Sequence, residues 1–235
     1  VFIDDLELYL RAQRGMKTVS INKIIQMLKS IVRYSLERGW IEKDPFLGHK
    51  SKSVQTEILY LTHEQVIKLE TTTLSQERLN RVKELFLFSI YTGLHYADAM
   101  SLTKSNLVKG IDGNLWIDYV RGKTGKRIQI PLLNKAQALL TKFEREGLKN
   151  DYILPRITNQ KVNSYLKEIA DILNIDVPLT HKIARKTFGS ILLYHNIPIK
   201  VVSELMGHSS SLITERHYAK LDTRKLGEAI NLLNK

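Results

Sequence analysis

Residues 77–94, ERLNRVKELFLFSIYTGL, constrain the fold more than any other stretch of the chain. The segment begins amphipathic and becomes almost wholly apolar after Glu84. A helix that is apolar all round is stable only when other elements surround it, so this one is read as a buried central helix that stops at Gly93. Covering elements are predicted on both sides of it in sequence. LTHEQVIKLE reads as a helix capped by Thr62, with Glu64 and Gln65 in its first turn, and YADAMSL as a short helix after Gly93. Further helices are expected over 135–146, 159–173, 181–195, 199–206, 210–218 and 223–234. Between them, residues 106–131 switch to strand signals: NLVKGI, an Asp112-Gly113 turn, LWIDYVR, the turn GKTGK, then RIQIPL. That punctuation predicts a three-stranded antiparallel meander.

The first fifty residues read as a separate helical unit. Phe2, Leu6, Tyr9 and Leu10 recur at helical spacing, Gly15 breaks the pattern, and Thr18 is the expected N-cap of a second helix ending at Gly39. That helix carries an apolar stripe of Ile21, Ile24, Leu28, Ile31 and Leu36, with Lys23, Lys29 and Arg33 expected on the opposite face. Residues 48–57, GHKSKSVQTE, are polar and linker-like. The predicted fold class is mainly α with a small antiparallel β-sheet, in two domains: 1–48, a linker over 49–57, and 58–235. With 43% hydrophobic residues the composition excludes disorder, collagen-like repeats and a coiled-coil rod. No run of eighteen apolar residues offers a membrane span, and the absence of cysteine excludes disulfides and thiolate metal sites. A net charge of +12 fits either a solvated basic surface or a polyanionic partner.

Two segments carry side chains suited to phosphate chemistry. In THKIARKTFGSILLYHN, Thr180 caps a helix whose first turns hold His181, Lys182, Arg185 and Lys186. A helix N-terminus favours anions, and residues four apart share a face, so His181 and Arg185 make a phosphate-sized site. The bland alternative is a helix exposing one basic turn. In VSELMGHSSSLITERHYAKL a helix ends at Gly207, His208 follows the break, and a Ser-rich turn leads into a short helix ending at Tyr218.

Taken in order, TGLHYAD, RGKTGKRIQIPL, THKIARKTF, MGH and ERHYAKL resemble the tyrosine recombinase family, the integrases of phages and conjugative elements, over essentially the whole chain. The resemblance implies a helical core-binding, SAM-like DNA-binding domain at 1–48 and an integrase-type catalytic domain at 58–235. It implies a site-specific enzyme that cuts DNA through a 3′-phosphotyrosine intermediate and reseals it without metal, ATP or other cofactor. Tyr218 would be the nucleophile, Arg185 and His208 would hold the scissile phosphate, and Lys123 would protonate the departing 5′-oxygen. Lys23, Lys29, Arg33, Lys126 and Arg127 are candidate contacts to the DNA backbone. The implied partner is double-stranded DNA, bound as a homo-tetramer, with a monomer or weak oligomer in its absence; no membrane is involved. Leu226, Ile230 and Leu233 of the last segment form a helical stripe that would either pack on the chain's own core or, as the resemblance implies, dock on a neighbouring protomer. A bacterial, cytoplasmic protein is expected, and the start at Val1 without a Met suggests a preceding arm-binding domain.

Three positions depart from the family pattern. His95 stands in TGLHYAD where most relatives have an arginine, so His95 itself, Arg81 or Lys83 would have to serve the phosphate, or catalysis is impaired. The usual H-x-x-R is shifted, leaving His181, the preferred candidate, or Lys182 to accompany Arg185. From His208 to Tyr218 there are ten positions rather than nine, the extra residue being expected in the Ser209–Ser211 turn; inside the helix it would instead rotate His217 and Tyr218 by about 100° from the expected face. These departures keep two rivals open: a DNA-binding protein that has lost catalysis, and a type IB topoisomerase.

Overall fold

The apolar helix expected over residues 77–94 forms, at the centre of the second of two units. In the computed structural model, which describes residues 2–53, 59–122, 125–148, 150–208, 210–212, 214 and 215, two compact units are formed by residues 1–57 and 58–235. In the second unit, α3 (His63–Thr71) leads into the central α4 (Glu77–Thr92), followed by α5 (Tyr96–Ser101). The meander β1 (Leu107–Lys109), β2 (Leu115–Val120) and β3 (Arg127–Pro131) comes next. Then follow α6 (Asn134–Arg145), α7 (Asn159–Ile172), α8 (His181–Tyr194) and α9 (Ile199–Leu205).

Helices α3, α6, α7 and α8 all pack on α4, and Val82, Leu85, Phe86, Phe88 and Ile90 are wholly buried there. Each such side chain contributes about 2 kcal/mol by leaving water. Helix α3 starts in a capping box: the Thr62 hydroxyl accepts from the Gln65 N–H at 3.2 Å, and the Gln65 side chain accepts from the Thr62 N–H at 3.0 Å. Thr180 caps α8 by accepting from the Ile183 N–H. The sheet turns Ile117 and Tyr119 of β2 and Ile128 and Ile130 of β3 toward the core.

In the first unit, α1 (Phe2–Ala12) packs on α2 (Thr18–Glu37) through Ile3, Leu10, Ile21, Ile25 and Phe46. Thr18 is the first helical residue rather than the cap; Lys17 occupies that place, and the Thr18 hydroxyl accepts from Arg11. The apolar stripe also differs from expectation beyond Leu28. Ile31 is exposed while Val32 packs inward, because α1, about 16 Å long, cannot cover the roughly 30 Å of α2. Residues 49–53 are tied to this unit. Buried Glu7 accepts from His49 Nε2 at 3.0 Å and Lys52 Nζ at 2.9 Å, and Asn22 donates to the Lys52 carbonyl. The hydrogen bonds from Lys52 and His49 hold the Glu7 carboxyl below its ordinary range. Among the described residues no helix is long and apolar enough to cross a membrane.

Candidate active site

Two chain reversals bring the candidate residues of the second unit together. One is the turn from α4 into α5. Gly93 ends α4 in the left-handed conformation at φ 66°, and a Cβ there would lie 2.3 Å from the Phe188 ring of α8. Only glycine lets α8 approach this closely. The other reversal closes α9 at Gly207, with φ 59° and an imagined Cβ 2.1 Å from Ile128 of β3.

Arg185 spans the two. From the second turn of α8 its Nη1 donates to the Gly93 carbonyl at 2.5 Å and its Nη2 to the Met206 carbonyl. The side chain is 6% exposed. Two carbonyls fix the plane and direction of the guanidinium, so it needs no rearrangement to meet an anion. His208 lies two residues past Met206. Its ring Nδ1 is 2.8 Å from the buried Thr214 hydroxyl, and its carbonyl accepts from Lys126 Nζ at 3.2 Å. Arg185 and Lys126 are thus both tied to the chain reversal that carries His208.

A second arginine, missed by the sequence reading, does the same as Arg185. Arg121 follows β2, is 8% exposed, and bridges the same two reversals. Its Nε lies 3.3 Å from Asp98 Oδ2 on α5, and its Nη1 donates to the Gly207 carbonyl at 2.9 Å. The Tyr119 hydroxyl also donates to Asp98, at 3.4 Å, and burial together with that carboxylate pushes the phenol up. The signal was present: Ile117, Tyr119 and Arg121 alternate along β2 on its inward face.

Other expectations need correction. His181 is buried, with its Nδ1 3.0 Å from the Ser89 hydroxyl and its ring edge-on to Tyr96 at 5.1 Å. Ser89 spends its proton on the Leu85 carbonyl, so it accepts from His181 Nδ1–H and leaves Nε2 as a buried, unpartnered lone pair. Burial pushes the imidazole down to about 4. A neutral ring offering only a lone pair cannot donate to a phosphate. Lys182, the alternative, is exposed. Arg81 and Lys83 are engaged elsewhere: Arg81 pairs with Glu146 at 2.7 Å, Lys83 donates to the Thr72 carbonyl, and Arg81 sits about 18 Å up the α4 axis from Gly93. His95 is exposed at the N-cap of α5.

The expected basic face of α2 is also modified. Lys23 and Arg33 are exposed, Arg33 lying 3.8 Å from Glu37. Lys29 is turned under the helix, donating to the His49 carbonyl and lying 5.5 Å from the Phe46 ring centroid. Arg127 is held by both oxygens of Asp118. Lys123, Tyr218 and the final segment with Leu226, Ile230 and Leu233 lie outside the described residues. Among the described residues no cluster of His, Asp and Glu is placed to hold a metal.

The sequence matches the model of the phage integrase family over residues 59–225 and that of the phage integrase SAM-like domain over residues 1–53. The chain belongs to the phage integrase family. It is thus a tyrosine recombinase, an enzyme that breaks and rejoins DNA. A protein of Caldanaerobacter subterraneus subsp. tengcongensis named as a tyrosine recombinase is 29% identical over 212 residues, which cover 86% of this chain and 71% of that protein. The tyrosine recombinase XerD of Pasteurella multocida is 25% identical over 243 residues, 95% of this chain and 80% of its own. In fold the chain is similar to the XerH site-specific recombinase, solved in a post-cleavage complex with a palindromic difH substrate. The TM-score is 0.75 at 18% identity, covering 99% of this chain and 72% of that one.

Proposed function

We propose that this recombinase cuts duplex DNA at a specific site by attack of the Tyr218 hydroxyl on a backbone phosphate, and reseals it by the reverse step. The observation that supports this most directly is the bracing of Arg185 between Gly93 and Met206, which sets a rigid guanidinium beside the His208 turn. In the transition state charge builds on the non-bridging oxygens. A preorganised guanidinium meets it at no reorganisation cost, and His208 adds a hydrogen bond. A phenol ordinarily titrates near 10, so the Tyr218 hydroxyl gives up its proton only as its oxygen bonds to phosphorus and the bond from phosphorus to the 5′-oxygen breaks, and Lys123 gives a proton to that departing oxygen. Lys182 takes the part expected of His181. Residues 1–48 serve as the DNA-clamping domain and 58–235 as the catalytic one. DNA is the substrate, as it is for XerH, and the active assembly is a homo-tetramer on two duplexes.

Duplexes tiled across the DNA flanking the gene, each nicked to trap the cleaved strand, test this reading. The wild-type chain forms a covalent protein–DNA adduct on a defined subset, and Tyr218→Phe forms none. Binding without an adduct on any duplex would instead make the chain a DNA-binding relative that has lost catalysis.

A further inference from the structure

We propose that Arg121 is a second phosphate-binding guanidinium of this site, supplying the charge that an arginine at position 95 would otherwise bring. The inference rests on the catalytic reading given above and deepens it.

The geometry of Arg121 repeats that of Arg185. Each guanidinium crosses from the α4–α5 reversal to the turn after α9, one anchored at Gly93 and Met206, the other at Asp98 and Gly207. Met206 and Gly207 are consecutive, and neighbouring Cα atoms lie 3.8 Å apart, so the two cations are held side by side. Both act electrostatically on the same buried hydroxyl, that of Tyr119. Arg121 is also built to contribute. Its Nε and Nη1 are used for anchoring, while Nη2 has no hydrogen-bond partner among the described residues. Asp98, three residues after His95 on α5, ties Arg121 to the element on which the missing arginine would have stood. A strut that only braced the turns could have been a neutral side chain; a guanidinium with one end open can grip a non-bridging oxygen.

The test uses the full chain and the duplex that yields the adduct, made once with an ordinary scissile phosphate and once with an uncharged methylphosphonate there. On the ordinary duplex, single-turnover adduct formation falls at least about 10²-fold in Arg121→Ala and less in Arg121→Lys, which keeps the charge but not the fork. On the methylphosphonate duplex most of that loss disappears, because the charge that Arg121 neutralises is gone. His95→Ala changes either rate by less than about tenfold. Thermal melting is followed alongside, and if Arg121→Ala does not fold, Arg121→Lys carries the comparison. Cleavage by the variants within about threefold of wild type would overturn the proposal. So would a loss of equal size on both duplexes, which is the mark of a strut. A wild-type chain that forms no adduct would refute the catalytic reading itself, a result distinct from either.

Discussion

Lowering the pH from 8 to 5 selectively weakens the second unit through one side chain. An imidazole ordinarily titrates near 6.5, and burial between Ser89 and Tyr96 pushes that of His181 down to about 4. Between those values the unfolded chain binds a proton that the folded chain refuses. The stability that depends on neutral His181 is therefore intact above pH 6.5, falls as the pH drops below it, and is gone below about 4. At about 1.4 kcal/mol per pKa unit the whole effect is on the order of 3 kcal/mol, of which about 2 kcal/mol is lost by pH 5. Carboxylates also titrate in acid, so the measurement is a difference between two proteins. His181→Asn keeps a donor toward Ser89 and cannot titrate. Trp40→Phe in both leaves Trp116 of β2 as the only tryptophan, a reporter confined to the second unit. Urea unfolding followed by its fluorescence should show the His181 protein losing about 2 kcal/mol more than the Asn protein between pH 8 and pH 5. Equal losses would refute the assignment of His181 as a buried neutral ring, and with it the reason for preferring Lys182 at the phosphate.

Two further outcomes follow from the same geometry. Arg81→Ala and Lys83→Ala should each leave adduct formation within about threefold of wild type, since both cations are engaged far from Gly93; a loss comparable to that expected of Tyr218→Phe would return them to the site. Gly93→Ala should cost about 2 kcal/mol or more in unfolding experiments, because its backbone is left-handed and the added methyl meets the Phe188 ring at 2.3 Å.

How much was legible in the sequence varies from residue to residue for physical reasons. The run from Leu85 to Tyr91 announces a helix with no wet side, and Gly93 and Asp112-Gly113 mark where the chain must turn, so the layering around α4 and the sheet could be anticipated. Helical spacing also shows that residues 181 and 185, or 182 and 185, share a face. It does not show how that face is rotated against the core, and here the rotation buries His181 and exposes Lys182. Lys29 escaped for a related reason: the chain after α2 returns over it, placing the His49 carbonyl and the Phe46 ring against it, and that return depends on a distant partner, Glu7. Arg121 was hidden because a charged residue at a turn reads as solvent-facing, although the two-residue rhythm of β2 pointed it inward.

The anchors of the two buried guanidiniums are mostly main-chain oxygens, those of Gly93, Met206 and Gly207. Every amino acid carries a carbonyl, so apart from Gly93 and Gly207, which have no room for a Cβ, and Asp98, whose side chain is itself an anchor, side chains along these turns can be exchanged without loosening either cation, provided the path of the chain is kept. Lengthening or shortening a turn would move the oxygens themselves. Descendants of such a site are free to vary in spelling but not in metre, and a histidine at position 95 is the kind of change this scaffold absorbs.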